Sequence, residues 1–132
     1  SETTTTSNTF VTTGFSCDIT PSATTSKILC LIHLAGLLTH NTTANLIATL
    51  YRDSTNIATG AGTAANTYDG FGGLWSNVSE QHAGSLDFSV LDSPSTTSAI
   101  TYTPKFGSTG GNTVYVHVWE QTSTITLLEI AG

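Results

Sequence analysis

Short runs in which apolar and polar residues alternate recur along this chain, each followed by a patch of Gly, Ser, Thr, Asn or Pro, at intervals of about ten residues. Helical periodicity is nearly absent, and no window is rich in Leu, Glu and Lys. The alternation predicts strands over approximately 9–13, 14–20, 27–38, 45–52, 55–61, 70–78, 85–92, 98–107, 113–120 and 123–131. Such a series predicts an all-β fold, an antiparallel β-sandwich of jelly-roll-like type. The opening residues 1–8, SETTTTSN, read as a flexible lead-in or linker, and 9–132 as one sandwich domain.

Two hairpins follow from the same alternation. Folding the chain about the loop PSATTS sets Phe15 opposite Ile32, Cys17 opposite Cys30 and Ile19 opposite Ile28, six apolar groups facing one way. The other face then carries Ser16 and Asp18 on one strand and Leu29, Leu31 and His33 on its partner. Leucines on an outer face require a cover, either another sheet or another subunit. In the second hairpin, 113–120 with 123–131, Val114, Val116 and Val118 point to the core. Tyr115, His117 and Trp119 then form a row on the opposite face, a candidate subunit interface or ligand shelf. The final strand carries Ile125, Leu127, Leu128 and Ile130, apolar on both sides.

Composition narrows the partners. Charged residues are 9% of the 132, Thr and Ser together about a third, and the net charge is −6. Thr is β-branched and suits strands, and its hydroxyl keeps a surface wet without charge. An acidic chain without a basic stripe is not expected to bind nucleic acid or anionic membranes. No apolar run approaches the roughly 18 residues of a membrane span, so no membrane insertion is expected. The longest, ILCLIHLAGLL, is interrupted by His33 and Gly36.

Catalytic and metal signatures are weak. There is no G-x-S-x-G, no phosphate-loop motif and no evident carboxylate pair, and GFGG at 70–73 is not followed by a helix. The chain is therefore expected not to be an enzyme and to carry no cofactor. His33, His40, His82 and His117 have no metal-ligand spacing, so no metal site is expected. His33 and His117 fall in strands and read as interface or core residues. His40 and His82 fall in loops, where they are free to touch a ligand. Cys17 and Cys30 could form a disulfide, but two reduced thiols packed as small hydrophobes is the preferred reading. The triplets Asn41-Thr42-Thr43 and Asn77-Val78-Ser79 fit a glycosylation sequon but arise by chance in a chain so rich in Thr and Ser.

The stretch NTYDGFGGLWSN, 66–77, sets Tyr68, Phe71 and Trp75 among small residues beside Asp69 and Asn77. Flat rings stack on the C–H face of a sugar while carboxylates and amides take its hydroxyls, so the stretch is a candidate carbohydrate site. The competing reading is that Phe71 and Trp75 anchor the loop in the core. Tyr68, Asp69, Trp75, His82 and His40 are the expected ligand contacts. Leu29, Leu31, His33, Tyr115, His117 and Trp119 are the expected interface.

Four segments in order, FVTTGFSCDITPSATTSKILCLIHLAG, LYRDSTNIATG, LDSPSTTSAITYTPKF and STITLLEIAG, span nearly the whole chain from about residue 9. Together they resemble the C-terminal domain of tail-fibre and related virion structural proteins of bacteriophages, especially marine and cyanobacterial ones. The resemblance implies a homotrimeric β-structured tip joined to an upstream fibre shaft. It implies a virion location after assembly in the host cytoplasm, with exposed loops that bind a host cell-surface glycan or outer-membrane protein. The stretch GTAANTYDGFGGLWSNVSEQHAG departs from the family pattern. Two other readings stand beside it: a structural virion protein (capsid decoration or fibre knob) without a receptor, and a carbohydrate-binding module of a secreted enzyme.

Overall fold

The structure is a computed structural model that describes residues 1–40, 44–58, 62–65, 68–76 and 80–132. Its strands are β1 (Thr3–Thr5), β2 (Val11–Thr12), β3 (Cys17–Ile19), β4 (Lys27–Thr39), β5 (Asn45–Arg52), β6 (Thr55–Asn56), β7 (Gly72–Leu74), β8 (His82–Asp92), β9 (Ile100–Thr109), β10 (Val114–Val116) and β11 (Thr124–Ile130). All pairings among them are antiparallel, in two sheets. In the first, β4 is flanked by β8 on one edge and by β10 and β11 on the other, with β1 beyond β10. In the second, β2 and β3 lie along one edge of β9, β5 along the other, and β6 and β7 beyond β5. The expected all-β antiparallel architecture is present, with a core between the layers.

That core takes one face of each long strand. Ile28, Cys30, Ile32, Leu34 and Leu37 of β4 meet Leu46, Ala48 and Leu50 of β5 and Ile100, Tyr102 and Phe106 of β9. Val114, Val116 and Val118 are buried as the alternation predicts. Fully burying such an aliphatic side chain contributes about 1.5–3 kcal/mol, so this layer dominates stability.

Three expectations are corrected. The strand at 14–20 does not pair with 27–34: Cys17 lies opposite Tyr102 and Ile19 opposite Ile100, in the second sheet. Phe15 and Ile19 still pack on the cluster that contains Ile28, Cys30 and Ile32, but across the interlayer gap rather than within one sheet. A matched set of apolar faces satisfies either arrangement, so alternation alone does not separate them. The second hairpin is likewise absent. β10 and β11 both run antiparallel to β4, at Leu38–Thr39 and at Lys27–His33 respectively, as two parts of one interrupted strand. Finally, the lead-in is not a free linker: Thr3–Thr5 pair with Val114–Val116, where three β-branched residues suit an edge strand.

Both cysteines are free. Burial pushes the Cys30 thiol up to about 12, with Asp92 and Cys17 adding to the effect. The 55–61 and 70–78 strands are partly described, as Thr55–Asn56 and Gly72–Leu74. Residues 41–43 and 77–79, which hold the two sequons and Asn77 of the candidate sugar site, lie outside the described residues. Among the described residues no helix is long and apolar enough to cross a membrane.

Candidate functional site

Among the described residues between β6 and β7, 62–65 are held to the 8–10 stretch by backbone bonds, Phe10 N to Thr63 O at 3.3 Å and Ala65 N to Asn8 O at 2.5 Å, and one side chain ties Gly62 to Asp69. Asn56 is buried; its Oδ1 accepts from Thr49 Oγ1 at 2.6 Å and from the Ala58 amide at 3.1 Å. Its Nδ2 donates to the carbonyls of Gly62 at 2.7 Å and Asp69 at 2.9 Å. A single amide thus meets both ends of the segment that leads to Tyr68 and Asp69, with its donors and acceptor fully used. From there Phe71 N donates to Ala48 O at 2.8 Å, which lays the chain against β5. Gly70 permits the approach, because a Cβ there would come within 2.4 Å of the Ala48 carbonyl oxygen.

The competing readings of the aromatics divide between the rings. Phe71 anchors the loop: it stacks on Phe88 of β8 at 4.8 Å and 6° and packs on the core. Trp75 does not. It is 51% exposed and lies parallel to Tyr68, itself 54% exposed, with ring centroids 6.4 Å apart and planes 13° apart. Tyr68 holds a left-handed φ of 59°, uncommon for a ring-bearing residue. Asp69 is half-buried beside it, with its carboxylate against Gly62.

His40 meets the Tyr115 ring edge-on at 5.2 Å. His82 lies at the start of β8 opposite Thr39, two residues before Gly84, which faces the Leu74 side chain. Among the described residues no group of three or more His, Cys, Asp or Glu could hold a metal ion.

A second surface forms on the outer face of the first sheet. Register aligns Leu128, Leu29 and Leu91 in one row, Thr126, Leu31 and Ser89 in the next, and Thr124, His33 and Asp87 in a third. Leu31, Leu91, Leu128 and Ile130 are 40–51% exposed. His33 Nδ1 is 2.6 Å from Asp87 Oδ1, across a groove of about 370 Å³ that Leu31 and Thr126 also line. Leu29, Leu31 and His33 therefore face outward as the alternation predicts. The other half of the expected interface is dispersed: Tyr115 turns to His40, His117 meets the Phe15 ring at 5.5 Å, and Trp119 projects into solvent. The row breaks because His117 and Trp119 leave the extended conformation, with φ of 62° and 56°.

Two contributors were hidden from sequence reasoning. Asn56 is one; a lone Asn after a turn signals only the turn. The other is a link between the sheets. Arg52 Nη1 donates to both carboxylate oxygens of Asp92, at 2.8 and 2.7 Å, and the Tyr102 hydroxyl donates to Asp92 Oδ2 at 2.6 Å. Burial, then this hydrogen bond, raises the Tyr102 phenol above its ordinary value.

Compared with models of known protein families, the sequence has no match, and no curated protein matches it.

Proposed function

We propose that this chain is a non-enzymatic binding domain, the tip of a trimeric bacteriophage tail fibre whose exposed loops hold a host cell-surface glycan. The observation that carries the reading is the parallel, half-exposed Tyr68–Trp75 pair on a loop braced from beneath by Asn56. Two large rings held open to solvent give up contact area that a core would use, and they gain it back on a flat ligand. Asp69 beside them suits hydroxyl groups. The succession of strands, passing repeatedly between the two sheets, supports the jelly-roll reading. The leucine rows of the first sheet support assembly into a homotrimer, whose copies cover that face. Three weak sites on one fibre then multiply into firm attachment.

Replacing Trp75 with Ala removes one ring from an exposed pair and is expected to leave fold and oligomer intact. Binding of the native chain to a glycan array, lost or cut at least tenfold in Trp75→Ala, is the expected outcome. Equal binding by both proteins refutes the site. A virion decoration protein without a receptor would form the trimer and bind no glycan. A secreted carbohydrate-binding module would bind as a monomer.

A further inference from the structure

The strand along β4 is interrupted between β10 and β11 by more chain than its pairing needs. Tyr115 lies opposite Leu38 and Thr124 opposite His33, so residues 116–123, eight of them, cover a stretch where β4 spends four, 34–37. Within the excess, His117, Trp119 and Glu120 hold left-handed φ of 62°, 56° and 57°. None is Gly, Asn or Asp, so each pays the steric penalty of that region. The surroundings enforce it. His117 N donates to Ala35 O at 3.2 Å, Ala35 N donates to Ser123 Oγ at 2.9 Å, and Val118 is buried. Strain of this kind persists where the fold over-determines it and gathers at ligand sites.

The excursion opens a pocket of about 400 Å³, in the size range of small-ligand sites. Its walls include Phe15 and His117, whose rings meet at 54°, and Glu120, Thr122, Ser123 and Thr13. Burial, then the nearby positive amino terminus, lowers the His117 imidazole below its ordinary value, against a hydrogen bond with the Ser1 backbone that raises it. The aromatic corner suits the C–H face of a sugar, and the hydroxyls, imidazole and carboxylate suit its polar rim. Ser1 and Glu120 both line the pocket, and the positive amino terminus that acts on His117 offsets the Glu120 carboxylate, so the lining favours a neutral ligand. From this lining we propose that the pocket is a second binding site, separate from the Tyr68–Trp75 pair, that takes one neutral pyranose unit.

The test uses Trp75→Ala, which disables the first site and leaves Trp119 as the one tryptophan of two. Methyl glycosides of glucose, galactose and mannose, and glucuronate, are titrated to tens of millimolar. Trp119 emission and saturation-transfer NMR report binding. At least one neutral glycoside is expected to bind, and glucuronate not to. Adding Glu120→Gly relaxes a left-handed residue, so the melting temperature is expected to rise while affinity falls at least tenfold. The proposal is overturned if no neutral glycoside binds, if glucuronate binds as well, if Glu120→Gly leaves affinity unchanged, or if it lowers the melting temperature. Failure of the first site is distinct: it appears as equal glycan-array binding by the native chain and Trp75→Ala.

Discussion

Gly36 shows how much one residue can decide. Its φ is +62°, and a Cβ there would lie 2.7 Å from both the amide nitrogen and the carbonyl oxygen of Val118. These are backbone atoms and cannot rotate away. Gly36→Ala is therefore expected to cost about 2–3 kcal/mol in chemical denaturation, from the left-handed backbone and the clash together. A cost below about 0.5 kcal/mol would mean that the 117–120 segment does not sit on β4 as described. Sequence reading reached residues of one kind here and not of another. Leu29, Leu31 and Val114 and Val116 were legible because period-two alternation fixes a side chain's face. The left-handed His117, Trp119 and Glu120 were not, because nothing about these residue types signals that conformation. Tyr68 and Trp75 were legible as rings in one stretch, but whether Trp75 was exposed or anchored in the core was not, because that depends on how the chain around Asp69 is held by Asn56 and laid along β5.

Among elements, the joints between sheets carry the testable predictions. The Arg52–Asp92–Tyr102 cluster ties β5 and β9 of one sheet to β8 of the other, with both charged side chains largely shielded. Asp92→Ala leaves a guanidinium and a phenol unpaired, and about 2–3 kcal/mol of stability is expected to go with it. Adding Arg52→Met should restore part of that loss, because the stranded charge is removed. If the double variant's loss equals the sum of the two single losses, the groups do not act together. This cluster had no sequence signature: its members stand 40 and 10 residues from Asp92, and only the sheet order unites them. The same ambiguity misassigned β3, whose apolar face fits β4 equally well beside it or across from it.

A second joint fastens the 20–26 loop to β11. Ser22 donates through its amide and its hydroxyl to Glu129 Oε1, both at 2.7 Å. Hydrogen bonds from Ser26 and Ser22 hold the Glu129 carboxyl below its ordinary 4.5. A carboxyl depressed in the fold stabilises fully above its unfolded value and loses that contribution as pH falls through the depressed one. The stability gap between the native chain and Glu129→Gln should therefore be largest near pH 6–7 and shrink below about pH 4. A gap that widens on acidification contradicts the contact.

At the scale of the whole molecule, the outer face of the first sheet remains the feature a single chain does not explain. Leu31, Leu91, Leu128 and Ile130 expose apolar surface in adjoining rows, with the His33–Asp87 pair among them. Covering each half-exposed aliphatic side chain is worth about 1 kcal/mol, so the set adds a few kcal/mol per protomer to an assembly. Leu31→Asp changes only an outward side chain, and its folding stability should fall by under about 1 kcal/mol. Within a covered face the same carboxylate is unpaired and strongly unfavourable. The most direct measurement is therefore the native mass in solution at micromolar concentration, by light scattering. A homotrimer is expected at about three times the chain's 13.7 kDa, falling to that of one chain in Leu31→Asp. A native chain that runs at the mass of one chain contradicts it.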